Sequence, residues 1–149
     1  MRRIAGSLVT GPPSQATVGF VVAASVVLTA FHFTDNYVSI ETYPQPDWVT
    51  GAAVLVSWPL FTLLGVVGYL LYRQQRYTLA HGFLLAYSYA GLSSLGHFLS
   101  GSPDEFTTRG LVSVLIDGAA GSTVLTVALW SILARRGTTP HAAPAGPGT

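Results

Sequence analysis

The sequence predicts an all-α, polytopic membrane protein: an antiparallel bundle of four transmembrane helices. Three observations predict it. Half of the residues are hydrophobic and only 9% are charged, where soluble domains carry about a quarter, and the mean hydropathy is +0.49. Four apolar segments, about 17–38, 48–72, 78–99 and 103–134, are joined by connections too short for anything but antiparallel neighbours. Each is long enough, at about 1.5 Å per residue, to cross a hydrocarbon core of roughly 30 Å. Finally, the charges sort by side. Arg2, Arg3, Arg73, Arg76, Arg135 and Arg136 share one side of a four-pass chain, and Asp35, Glu41, Asp47, Asp104 and Glu105 share the other with Arg109 alone. The positive-inside rule then places both termini in the cytoplasm.

Residues 1–16 form a polar cytoplasmic leader. It is long for a signal peptide, and Leu28-Thr29-Ala30 lacks the small residue wanted three positions before a cut, so the first segment is read as a span. The span ends in the polar run Phe31-His32-Phe33-Thr34-Asp35-Asn36-Tyr37. Tyr43-Pro44-Gln45-Pro46-Asp47 is a turn that stops one helix and starts the next. The second segment contains Pro59, a candidate kink. Arg73-Gln74-Gln75-Arg76 is a short polar connection. Ser102, Pro103 and Glu105 read as the capping box that opens the fourth helix. Residues 137–149, rich in Pro, Gly and Ala, read as a disordered cytoplasmic tail. Tyr37, Tyr43, Trp48 and Phe106 would belt the outer interface, and Tyr69, Tyr72, Tyr77 and Trp130 the inner one.

The absence of cysteine excludes disulfides, thiolate catalysis, cysteine zinc sites and iron–sulfur clusters. A net charge of +1 leaves no nucleic-acid footprint. All seven basic residues are arginine, which with abundant Ala, Gly and Val reads as GC-rich bacterial coding and hence a bacterial inner (plasma) membrane.

Helix faces that meet other helices in lipid are enriched in small and weakly polar residues. Such stripes run through Ser25, Thr29, His32 and Asn36 on the first helix, and through Thr50, Val54, Ser57, Phe61, Gly65 and Gly68 on the second. On the third they run through Gly82, Ala86, Ala90, Ser93 or Ser94, and His97, and on the fourth through Gly110, Ser113, Asp117 and Gly121. Meeting at one axis, they put His97 and Asn36 about 3 Å below the outer surface, His32 about 9 Å and Asp117 about 16 Å. The inner half then offers no polar relay, so a channel would need a homo-oligomer.

Several chemistries are open to such a cluster. Polar glue needs no ligand: His32 and Asp35 bond each other, Asn36 caps carbonyls and His97 sits at the interface. Asp117 costs at least ~2.5–3.5 kcal/mol on insertion, so it is protonated or paired with His32. The sharper reading is a pocket for a small apolar or lipid-like ligand, or a membrane partner. Its candidate binding residues are His32, Asp35, Asn36, Trp58, His97 and Asp117, with Phe31, Tyr87 and Tyr89 as further walls. The alternatives are a membrane-embedded enzyme using a His–Asp acid–base pair and a haem or metal bundle ligated by His32 and His97, with Asp35 a third ligand to a divalent ion. No cofactor is required by the sequence.

His32-x-x-Asp35-Asn36, Tyr43-Pro44-x-Pro46-x-Trp48 and Gly96-His97 together resemble a group of small uncharacterised bacterial four-helix integral membrane proteins, over about residues 17–135. The layout also faintly resembles the EXPERA-type bundles (sterol isomerase and sigma-2-receptor-like proteins). That resemblance implies a ligand-binding group of Asp35, His32 and Asp117 in an apolar cavity. The chain departs from the isomerases in having no Glu inside a helix.

Overall fold

The computed structural model describes residues 11–137. The leader therefore falls largely outside the described residues, and the tail almost entirely. The described chain holds four α-helices: α1 (Gln15–Val38), α2 (Gly51–Arg73), α3 (Tyr77–Ser93) and α4 (Thr108–Arg136). Short 3₁₀ turns cover Ile40–Thr42, Ser94–Leu99 and Pro103–Glu105. No strand occurs among the described residues.

Three of the four helices are long and apolar enough to cross a membrane: α1, α2 and α4. The third departs from the expected 78–99 span. Its α-helix is 17 residues long and tightens into a six-residue 3₁₀ segment. The reason is local. Ser88, Ser93 and Ser94 each turn their hydroxyl back onto the carbonyl three residues earlier, at 2.8, 2.7 and 2.6 Å. Such back-bonding competes with the i−4 ladder of an α-helix.

The helix starts follow from capping. The hydroxyls of Ser14, Thr50 and Thr107 accept the first free backbone N–H groups of α1, α2 and α4 at 3.0, 3.2 and 3.1 Å, as N-caps do. The expected capping box at Ser102 exists: the Glu105 carboxylate accepts from the Ser102 N–H at 3.1 Å and its hydroxyl at 2.8 Å. It closes a single 3₁₀ turn and not α4, because extended backbone at Phe106 and Thr107 intervenes and Thr107 provides the real cap. α2 runs through Pro59 as one helix.

The α2–α3 turn is a Schellman motif. Arg76 N–H reaches the Leu71 carbonyl and Gln75 N–H the Tyr72 carbonyl, both at 3.0 Å, and Gln75 has φ +61°. Glycine normally takes that position, since a side chain costs about 1–2 kcal/mol in the left-handed region. Gln75→Gly is therefore expected to stabilise the fold by about 1 kcal/mol, read as a rise in thermal midpoint in detergent. An unchanged or lower midpoint would contradict the turn geometry.

Each helix packs on its chain neighbours, and α4 also packs on α1. Part of the interior is an apolar cluster of Val18, Val22, Tyr72, Ala80, Leu84, Tyr87, Val124 and Ala128. The buried polar residues Thr29, His32, Asp35, Asn36, Ser113 and Asp117 lie beyond it. The expected stripes on α1 and α4 are buried throughout. On α2 the buried members are Val54, Gly65 and Gly68, while Thr50 is its exposed cap. The α3 stripe is corrected: Gly82 and Ala86 are exposed, and the buried face carries Ala80, Leu84, Tyr87, Ser88, Ala90 and Gly91. Tyr43 and Tyr72 leave the expected belts, being 7% and 1% exposed with their hydroxyls turned inward.

Candidate functional site

The polar run at the end of α1 does enter the interior. The 39–50 segment folds back over the helix end, which brings Tyr43 against the face carrying His32 and Asp35. The Tyr43 hydroxyl lies 3.0 Å from Asp35 Oδ2 and 3.2 Å from the Gly110 carbonyl, and it is hydrogen-bonded to Ser113. Burial pushes the Tyr43 phenol up from its ordinary value, so the hydroxyl keeps its proton and serves as a donor. Ser113 Oγ in turn lies 3.3 Å from Asp35 Oδ2 and 2.9 Å from the Gly110 carbonyl. The second carboxylate oxygen of Asp35 is ion-paired with Arg109 Nε, and the Arg109 Nη2 donates to Ser39 Oγ at 2.8 Å. Asp35 is thus fully engaged by α4 and the returning loop.

His32 and Asp35 do not bond each other. The Ser113 hydroxyl stands between them, with His32 Nδ1 3.4 Å from Ser113 Oγ. A direct His–Asp acid–base pair is absent from this geometry. Asn36 caps no carbonyl; its Nδ2 donates to His97 Nε2 at 3.3 Å. His97 Nδ1 donates to the Pro44 carbonyl at 2.8 Å. The rings of His32, Tyr43, His97 and Phe106 meet edge-on, with His32 and His97 centroids 5.6 Å apart and Tyr43 and His97 5.1 Å apart. The two imidazoles pack edge to edge, and both His97 nitrogens are hydrogen-bonded within the protein. No cluster of three or more His, Cys, Asp or Glu suited to a metal occurs among the described residues.

Asp117 lies apart from this group. It is fully buried and accepts from Thr29 Oγ1 at 2.9 Å, so its partner is Thr29 and not His32. Its Oδ2 closes no hydrogen bond. The Tyr87 hydroxyl faces Ser25 and Thr29 nearby and also closes none. Trp58 is placed elsewhere again, in an apolar groove between α1 and α2 with Ala30, Phe33, Thr34, Tyr37 and Val54. Phe31 and Tyr89 are 46% and 69% exposed and line no interior wall.

A cleft of about 400 Å³ opens beside the His97 group, between α1, the first half of α2, the 45–49 loop and the 3₁₀ end of α3. His32, Asn36 and His97 line it together with Gln45, Trp48 and Phe61. Of the six candidate binding residues, three line this cleft, Asp35 supports it from behind, and Trp58 and Asp117 lie outside it. Tyr43, Ser113, Arg109 and Gln45 complete the arrangement. Arg109 left a trace in the sequence as the single cation among the outer acids.

A second polar knot ties the other end of the helices. The buried Ser131 hydroxyl lies 2.9 Å from His81 Nε2 and 3.2 Å from the Tyr72 hydroxyl, which also donates to the Pro13 carbonyl at 2.8 Å. Arg135 adds contacts to Ser131 and Tyr72 and stacks over the Tyr77 ring, 3.3 Å from its centroid. The end of the helices expected to offer no polar relay therefore does carry a polar network, which joins the apolar cluster at Tyr72.

Comparison with protein families, with curated proteins and with solved structures brings no match.

Proposed function

We propose that the chain is an integral protein of a bacterial inner membrane, an antiparallel four-helix bundle with both termini cytoplasmic, that binds a small, largely apolar, lipid-like ligand in the cleft beside His97. The cleft itself carries the reading. Its volume of about 400 Å³ falls in the range of small-molecule sites, and an apolar wall with a few convergent polar groups is their usual make-up. The membrane placement is supported by the outward faces of the helices. Leu55, Leu60, Leu63, Leu115, Leu129 and Leu133 are each between 44% and 64% exposed, apolar surface on α2 and on α4 that water would penalise and lipid would not. The polar contacts of Asp35, Tyr43, Ser113 and Arg109 hold α1, α4 and the returning loop in register behind the cleft.

The test uses the full chain in lipid nanodiscs, incubated with a bacterial lipid extract, washed and analysed by mass spectrometry. Ala53→Phe, which adds bulk at a cleft-lining position, serves as the blocked control. The expected result is a retained low-molecular-weight species that is at least about tenfold depleted in Ala53→Phe at unchanged thermal midpoint, which corresponds to about 1.4 kcal/mol of binding. Equal retention by both proteins would overturn the reading. A reporter fused after Arg136 that registers outside the cytoplasm would overturn the topology.

A further inference from the structure

The polar atoms of the cleft differ in kind from those of the Asp35 group behind it. Among the described residues, no Arg, Lys, Asp or Glu lines the cleft. Arg109, the nearest outer cation, is occupied by Asp35 and Ser39, and Asp35 by Arg109, Tyr43 and Ser113. An anionic headgroup would therefore enter without a counter-charge, and so would an ammonium; burying either unpaired is far more costly than burying a neutral group.

The neutral groups have fixed roles. The Pro44 carbonyl can only accept, so His97 Nδ1 carries a hydrogen and, in the neutral ring, Nε2 is a bare lone pair. That lone pair takes the amide N–H of Asn36, which fixes the carboxamide and leaves Asn36 Oδ1 over. Gln45 is fixed in the same way: its Nε2 donates to the Ile40 carbonyl at 3.3 Å, so Oε1 is left over. Asn36 Oδ1 and Gln45 Oε1 are both buried without a hydrogen-bond partner, and Asn36 is only 5% exposed. His32 Nδ1 lies 3.4 Å from Ser113 Oγ, and which of the two donates follows the imidazole tautomer, so His32 is not counted with these acceptors. Ser57, Ser93, Ser94 and Ser100 also line the cleft, but a hydroxyl turns to suit either role, and Trp48, whose indole N–H only donates, is the single lining side chain of that kind.

From this excess of acceptors and absence of charge we infer that the cleft selects an uncharged apolar alcohol: a hydrocarbon body on the Phe61 and Val54 wall, with its hydroxyl donating to Asn36 Oδ1 or Gln45 Oε1. The inference rests on the cleft being a ligand site and names the chemical class it takes. The hydroxyl supplies the hydrogen that one stranded acceptor lacks, and a ligand with acceptors alone supplies none.

The experiment compares probes that differ only at the head: dodecanol, its methyl ether, dodecanoate and dodecylamine. Each is titrated against the full chain in nanodiscs at neutral pH with native mass spectrometry as the readout, and Ala53→Phe provides the background. Dodecanol is expected to bind about tenfold more tightly than the ether, the ratio one hydrogen bond to a stranded acceptor supports, with dodecanoate and dodecylamine at background. Asn36→Leu is expected to bring the alcohol-to-ether ratio down at least about threefold. Should Asn36→Leu fail to fold, Gln45→Met makes the same test from the loop. Alcohol and ether binding equally, with both lost in Ala53→Phe, would overturn the alcohol preference and leave the cleft reading standing. Tightest binding by dodecanoate or dodecylamine would overturn the preference in the same way. No probe exceeding the Ala53→Phe background would overturn both.

Discussion

Gly121→Leu is expected to lower the thermal midpoint of the full chain in detergent by about 10 °C or more, the shift that several kcal/mol produces in a chain of this size. α3 and α4 meet backbone to backbone at this glycine. A Cβ on Gly121 would stand 2.7 Å from the Leu92 nitrogen, 2.8 Å from the Ser88 oxygen and 2.9 Å from the Gly91 carbonyl carbon. A Cβ on Gly91, facing it, would stand 2.8 Å from the Asp117 oxygen and 2.9 Å from the Gly121 Cα. Every one of these neighbours is main chain, so no side chain can swing aside to relieve the clash. One added methyl in such a contact costs about 1–3 kcal/mol, and a leucine side chain must push the two helices apart along their length. Separation would also carry α4 away from the end of α3, where the Ser94 hydroxyl donates to the Val114 carbonyl at 3.3 Å. Gly82→Leu on the same helix as Gly91 is the control: nothing lies within 4 Å of its Cβ direction, and its midpoint should stay within about 2 °C of the parent. If Gly121→Leu behaved like Gly82→Leu, the close approach of α3 and α4 would be wrong.

That pair of glycines also marks where the sequence was legible and where it was not. On α1, Ser25, Thr29, His32 and Asn36 repeat at helical spacing, and all four are buried; on α4, Gly110, Ser113, Asp117 and Gly121 behave the same way. Small and weakly polar residues find these faces because lipid cannot satisfy a hydroxyl and small residues admit a second backbone. The same rule misread α3, where Gly82 and Ala86 face outward and Leu84 and Tyr87 face inward. The small partners that Leu84 and Tyr87 need are on α2: a Cβ on Gly68 would meet the Leu84 side chain at 3.0 Å, and one on Gly65 the Tyr87 ring at 2.8 Å. Packing is a property of the pair, and a rule applied to one helix at a time cannot assign the hole to one member and the knob to the other. The site is legible in the same partial way. Depth along their helices brings His32, Asn36 and His97 together, whereas Tyr43 reads as part of an aromatic belt because nothing in its spacing shows the loop folding back over α1. Residue type alone points Trp58 to the interior; the structure puts it in the α1–α2 groove.

Arg109→Leu is expected to destabilise the chain by about 2 kcal/mol, more than a surface arginine ordinarily contributes. The two ends of its ion pair are unlike: the Arg109 side chain is 60% exposed, and that of Asp35 only 4%. An exposed guanidinium loses little on returning to water, so the cost comes from what is left behind. With Arg109 gone, a buried carboxylate keeps only the hydroxyls of Tyr43 and Ser113 as donors. Breaking a fully buried pair by removing one partner costs about 3–5 kcal/mol, and the exposure of Arg109 reduces that toward the lower figure. The decisive comparison is with the double variant. Asp35→Asn removes the charge but keeps an oxygen for the Tyr43 and Ser113 hydroxyls, so Arg109→Leu combined with Asp35→Asn should be more stable than Arg109→Leu alone, by about 1 kcal/mol. Thermal or denaturant unfolding of the parent, the two single variants and the double variant in one detergent closes the cycle. Additive losses, with the double variant the least stable of the four, would show that Asp35 and Arg109 act independently and that the carboxylate does not depend on its arginine.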